Sequence, residues 1–95
     1  MNKYEALYIV NATLEEEPRA ALIQRFNTLI TDNGGTVDSV DEWGKRRLAY
    51  PILDMNEGYY VLVHFSAEPT LPMELERNYR ITEDIIRYLV TRIEE

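Results

Sequence analysis

Apolar and polar residues alternate along this chain with two different periods. Tyr4, Ala6, Tyr8 and Val10 alternate with Glu5, Leu7 and Ile9, a period of two in β-forming residues that predicts a strand. Both of its faces are fairly apolar, which places it in the middle of a sheet. The pattern breaks at Asn11, Ala12 and Thr13. Glu15, Glu16 and Glu17 followed by Pro18 have the character of a first helical turn, where acids meet the positive end of the macrodipole. Leu22, Phe26, Leu29 and Ile30 then recur at i, i+4, i+7 and i+8, one apolar stripe. Arg19, Gln24, Arg25, Thr28 and Asp32 fall off that stripe. Asn33-Gly34-Gly35 ends the helix with residues that tolerate positive φ.

The stretch from Thr36 to Ile52 alternates weakly and is interrupted by Gly44. It predicts a long strand bent or bulged near Gly44, and Pro51 suits an edge position. Asp54-Met55-Asn56-Glu57-Gly58 reads as a turn. Tyr59 to Phe65, aromatic and β-branched, predicts the best-patterned strand, paired with the preceding one as an antiparallel hairpin. Glu68 to Pro72 reads as a loop. Leu71, Leu75 and Tyr79 at i, i+4 and i+8 predict a short helix, with Glu74, Glu76 and Arg77 turned outward. Ile81 to Asp84 reads as a turn. From Ile85 to Ile93, Ile86, Tyr88 and Val90 alternate against Arg87, Leu89 and Thr91 in a last strand. The order β-α-β-β-α-β places the chain in the α+β class. It predicts a four-stranded antiparallel sheet with two helices on one face, the crossover strands in the middle and the Thr36–Ile52 strand at an edge. Residues 1–95 are expected to form one domain.

Two helices leave one sheet face uncovered. The expected occupants of that face are Leu7, Ile9, Tyr60, Leu62, His64 and Leu89, a sizeable apolar surface for a free domain. It is therefore expected to receive a protein partner. The plainer alternative is that scattered exposed apolar residues are ordinary.

Composition narrows the chemistry. With 95 residues, 45% of them apolar, the chain can build a real core. It has no cysteine, which excludes disulfides, thiolate metal sites and a thiol nucleophile. No apolar run approaches the ~18 residues of a membrane span. The start of the chain lacks the organisation of a signal peptide, and the lack of cysteine fits a reducing, cytoplasmic location. His64 is the one histidine and has no motif partner. No Gly-rich phosphate loop, metal-spaced ligand set or Ser–His arrangement is present, and Asp38, Asp41 and Glu42 do not follow a calcium-loop pattern. No catalytic residue, metal, cofactor or small-molecule substrate is expected.

The net charge of −7 argues against nucleic acid when read as an average. Locally, Lys45, Arg46 and Arg47 are adjacent and are flanked by Trp43 and Tyr50. Eight of the ten bases are Arg, the side chain suited to bidentate phosphate contacts. Three successive bases put cations on both faces of a strand, which core packing does not require. A cation cluster with neighbouring rings suits an irregular RNA backbone. Charges that blunt an edge strand are the structural alternative. Acylphosphatases share the element order, but their Gly-rich anion loop is absent. RNA-recognition-motif domains share it too. Gly58-Tyr59 fits their third-strand signature, while Glu57 replaces its basic residue and His64 stands at a stacking-ring position. A free-standing interaction domain and a small-molecule-sensing domain also have this order.

The opening Lys3-Tyr4-Glu5, the Asn33-Gly34-Gly35 helix end and the run Trp43-Gly44-Lys45-Arg46-Arg47-Leu48-Ala49-Tyr50-Pro51-Ile52 point further. With Gly58-Tyr59-Tyr60-Val61, Leu75 to Arg80 and Ile86-Arg87, the chain resembles the bacterial small-subunit ribosomal protein six family over nearly its whole length. The resemblance implies a ferredoxin-like fold and a structural, non-enzymatic role in the small ribosomal subunit. It implies binding to the central domain of 16S ribosomal RNA together with small-subunit ribosomal protein eighteen, the basic partner carrying much of the RNA contact. On that reading Lys45, Arg46 and Arg47 are the expected RNA-facing residues. Lys3, Arg80 and Arg87 are further candidates, as bases at matched positions. Tyr4 belongs to the core-facing set and is left out. Some relatives continue into a charged tail. The sequence stops at Glu94-Glu95, so no role resting on such a tail is expected.

Overall fold

The computed structural model describes residues 1–52 and 55–93. Its elements are β1 (Asn2–Asn11), α1 (Glu16–Asp32), β2 (Thr36–Ile52), β3 (Met55–Ala67), α2 (Leu71–Ile81) and β4 (Ile85–Arg92). The four strands form one antiparallel sheet in the order β2-β3-β1-β4. As the pattern predicts, β1 is central and β2 lies at an edge. The expected turn member Asp54 and the terminal Glu94-Glu95 lie outside the described residues.

One sheet face carries the core. Tyr4, Ala6, Tyr8 and Val10 of β1 and Val61, Val63, Phe65 and Ala67 of β3 are buried on it. Against them pack Leu22, Ile23, Phe26 and Ile30 of α1 and Leu71, Leu75 and Tyr79 of α2. Tyr8, Phe26 and Tyr79 form a triangle of rings, with centroids 4.7–5.4 Å apart, and Tyr88 of β4 extends it at 5.6 Å from Tyr79. Rings at these separations add to the benefit of burial through their quadrupoles. Ile23 widens the stripe that periodicity assigned to α1, and Leu29 sits at its half-buried margin.

The end of α1 uses its two glycines differently. Gly34 has φ +85° and open space around it, the left-handed conformation in which glycine has no steric cost. Gly35 is needed for close approach instead. A Cβ there would stand 2.8 Å from Leu71 Cδ2 and 2.9 Å from Ile30 Cγ2.

Two predicted boundaries move. Asn56, Glu57 and Gly58 belong to β3, not to a turn, because Arg46 and Arg47 of β2 pair with Gly58 and Glu57. The helix α2 includes Ile81, which had the look of a turn residue. In β4 a register shift opposite Ile9 and Val10 pairs Ile9 with Arg87 and Val10 with Ile85. Such a bulge reverses the phase of the strand. Ile85, not Ile86, therefore joins the core.

Candidate partner and nucleic-acid surfaces

The face opposite the helices divides into three zones along its strands. At one end the face is closed. The far part of β2 continues a period of two through Leu48, Tyr50 and Ile52, and Leu48 is buried. Ile9 is buried as well, at 6% exposure. Gly58 makes this possible, since a Cβ there would lie 2.2 Å from Ile9 Cγ2, 3.4 Å from Leu48 Cδ2 and 3.5 Å from Ile86 Cδ1. Arg87 of β4 closes the end by donating a hydrogen bond to the Tyr50 hydroxyl, its guanidinium 5.3 Å from the Tyr50 ring centroid. This corrects the expectation for Ile9. It points to the predicted face but is covered by residues of its own chain. The packing of Leu48 over Gly58 and the Tyr50–Arg87 contact are what sequence reasoning missed, and for Leu48 and Tyr50 the continued alternation past the arginines is the available signal.

The middle zone is open. Leu62 of β3, Leu7 of β1 and Leu89 of β4 are direct cross-strand neighbours, Leu7 pairing with both. They form an apolar row across three strands. Leu7 and Leu62 are half-buried, and Leu89 is 61% exposed. Tyr60 lies beside this row, with the Trp43 ring stacked on it at 6.0 Å and 11°. The Trp43 indole N–H donates to Asp41 Oδ2 at 3.1 Å.

The third zone is polar. His64 lies between Ser39 Oγ, 3.2 Å from its Nδ1, and Glu5 Oε2, 3.0 Å from its Nε2. The Ser66 hydroxyl donates to Asp38 at 2.8 Å. Lys3, which pairs with Ser66, lies on an exposed position at this end.

The basic run is divided between faces. Gly44 at φ +83° and a register shift between Glu42 and Gly44 bend β2 just before it, as the sequence predicts. Arg46 lies opposite Gly58 on the uncovered face, with its guanidinium 5.1 Å over the Trp43 ring. Lys45 and Arg47 lie opposite Tyr59 and Glu57 and so point to the helix side. There Lys45 lines a cleft between the hairpin and the start of α1 with Glu15, Glu16, Arg19 and Glu57. Arg19 stands 4.1 Å over the Tyr59 ring, and the Tyr59 hydroxyl donates to Glu42 at 2.8 Å. Burial, reinforced by Glu42, pushes the Tyr59 phenol above its ordinary value, with Arg19 opposing. Arg80 is exposed on α2, in the helix layer. The six expected RNA-facing bases therefore do not converge on one patch. Arg46 and Arg87 share the uncovered face toward its closed end, and Lys3 lies at the other end of that face.

Known proteins resemble the chain over its full length. The family model described as Ribosomal protein S6 matches residues 3–92. Two proteins named small ribosomal subunit protein bS6 match all of this chain and are matched over all of theirs. The one from Exiguobacterium sibiricum is 52% identical, and the one from Caldanaerobacter subterraneus subsp. tengcongensis 50%. The 30S ribosomal protein S6 of Thermotoga maritima superposes with a TM-score of 0.92 at 34% identity, covering 97% of this chain and 87% of that one. Part of the extracellular region of zebrafish Gpr126/Adgrg6 shares the fold alone, with a TM-score of 0.61 at 15% identity, covering 98% of this chain and 14% of that one. The ring-packed core, the bent basic edge strand and these full-length matches agree. The chain belongs to the ribosomal protein S6 family, structural and non-enzymatic proteins of the small ribosomal subunit.

Proposed function

We propose that the chain binds the central domain of 16S ribosomal RNA as a heterodimer with small-subunit ribosomal protein eighteen. The observation that carries this reading is the Leu62–Leu7–Leu89 row, an apolar strip left open between a closed end and a polar end of one sheet face. Exposed apolar surface of this kind marks an interaction site. It takes the protein partner, with Tyr60 and His64 beside it. The chain has a net charge of −7, so its affinity for RNA must come from few cations and from a basic partner sharing the site. Arg46 and Arg47 face opposite sides of the edge strand. They reach phosphates on either side of it, with Lys45 beside them and Lys3, Arg80 and Arg87 as secondary contacts.

Capture of the tagged chain from its own lysate, scored for protein eighteen and 16S RNA, is the first test. A salt titration of the heterodimer on a central-domain RNA fragment is the quantitative one. Arg46→Gln should lower the salt slope by about one. Arg46→Glu combined with Arg47→Glu should weaken binding much further, because repulsion replaces attraction. If the folded double variant binds with an unchanged slope, these arginines only blunt the strand edge.

A further inference from the structure

We propose that Asn33 is a site of spontaneous deamidation, held shut in the folded chain by the C-terminal cap of α1. The sequence joins Asn33 to Gly34, whereas Asn2, Asn11, Asn27, Asn56 and Asn78 each precede a residue with a side chain. The reaction needs the backbone nitrogen of the following residue to reach the asparagine Cγ. At Gly34 no Cβ shields that nitrogen, and the space around the position is open. Asn33 itself is exposed. The Gly34 nitrogen bonds to Asn33 Cγ and the Cγ–Nδ2 bond breaks. Nδ2 leaves as ammonia, taking the Gly34 amide proton. The cyclic imide then takes up one water and opens at either carbonyl, giving aspartate or isoaspartate.

The fold withholds both reacting groups. The Gly34 N–H donates to the Thr31 carbonyl at 3.1 Å. The Asn33 carboxamide is turned back along the helix, its Nδ2 donating to the Leu29 carbonyl at 2.8 Å. The backbone N–H of Asn33 donates to the same carbonyl at 3.2 Å. These bonds satisfy carbonyls that a helix end otherwise leaves without partners. Both reacting groups must leave their acceptors before the ring can close, so the rate follows opening of the last turn. Either product then opposes the cap. It replaces a donor to Leu29 with a carboxylate at the negative end of the helix, beside Asp32 and in a last turn with no basic residue. Isoaspartate also lengthens the backbone one residue before Gly35, which approaches Leu71 and Ile30 too closely to carry a Cβ.

The test follows the intact chain in mildly alkaline buffer, with and without denaturing urea. Peptide mapping by mass spectrometry and isoaspartyl methyltransferase labelling locate the product. In urea, Asn33 should convert before the other five asparagines, and Asn33→Gln should abolish that first product. In the folded chain the same conversion should be slower by about tenfold or more, the hallmark of reaction through local opening. First conversion at another asparagine in urea, or equal rates with and without urea, would overturn the proposal.

Discussion

The two faces of the sheet are built from the same strands yet do opposite things. On the helix side Tyr4, Ala6, Tyr8 and Val10 of β1 and Val61, Val63, Phe65 and Ala67 of β3 are buried, and Tyr8, Phe26, Phe65 and Tyr79 are almost wholly out of water. On the other side, among the described residues, the buried side chains are Ile9 and Leu48, packed over Gly58 at one end. The leucines that follow along the same strands stay partly in water. The difference is not one of composition alone, since the uncovered face of β1 also carries the apolar Leu7 and Ile9. It comes from cover. Two helices close one face, and the far part of β2 folds over only part of the other. The first face holds the domain together, and the second has apolar surface to spare.

Substitutions on the two faces probe this contrast, beginning with the largest effect. Leu75 is fully buried under the helix face, and Leu75→Ala should lower stability by ~2–5 kcal/mol in urea denaturation. A loss under about half a kcal/mol would mean that α2 does not seal the core. Gly58→Ala tests the closed end of the second face. The added methyl has a backbone-fixed position 2.2 Å from Ile9 Cγ2, so overpacking should cost ~1–3 kcal/mol. An unchanged urea midpoint would show that this end is loose and that Ile9 is available to a partner after all.

A smaller effect comes from the buried phenols. Burial raises the Tyr8 and Tyr79 hydroxyls well above their ordinary value of 10.0, and neither finds a hydrogen-bond partner among the described residues. A group whose pKa is higher in the folded state gives stability that is fully present below its unfolded value and is lost as pH rises through the folded one. Stability should therefore fall from about pH 10 upward. Tyr8→Phe should flatten that fall while leaving neutral-pH stability equal or higher, since it removes an unpaired buried hydroxyl. Urea midpoints measured across alkaline pH check both statements, and a steeper alkaline loss in the variant would contradict them.

Element order and the helix-side core were legible because periodicity carries them. Tyr4, Ala6, Tyr8 and Val10 at period two, and Leu22, Phe26 and Ile30 at helical spacing, each report one buried face. The second face was legible only in part. Ile9 was assigned to open surface because alternation tells which way a side chain points, not what lies over it. What covers it is Leu48, from a distant part of the chain bent at Gly44. Gly58 has the sequence context of a turn glycine, yet its role is to admit Ile9, a need that appears only when strands are paired. The basic run was visible as a charge cluster split over both faces of a strand, but which base takes which face depends on the bulge register at Glu42 to Gly44. No composition or spacing states that register.

The most direct test of the division between a folding face and a partner face is a charge placed in the open leucine row. Leu89, 61% exposed, should accept Leu89→Glu with a stability change within about half a kcal/mol. The same variant should weaken the proposed heterodimer with protein eighteen by at least about tenfold, because a carboxylate would be buried against apolar surface. Leu62→Glu, on the far side of Leu7 in the same row, should repeat the result. Isothermal titration of purified protein eighteen, paired with urea denaturation of the same samples, measures both quantities at once. The account predicts folded variants that lose the partner. Folded variants that bind with unchanged affinity, or variants that fail to fold at all, would contradict it.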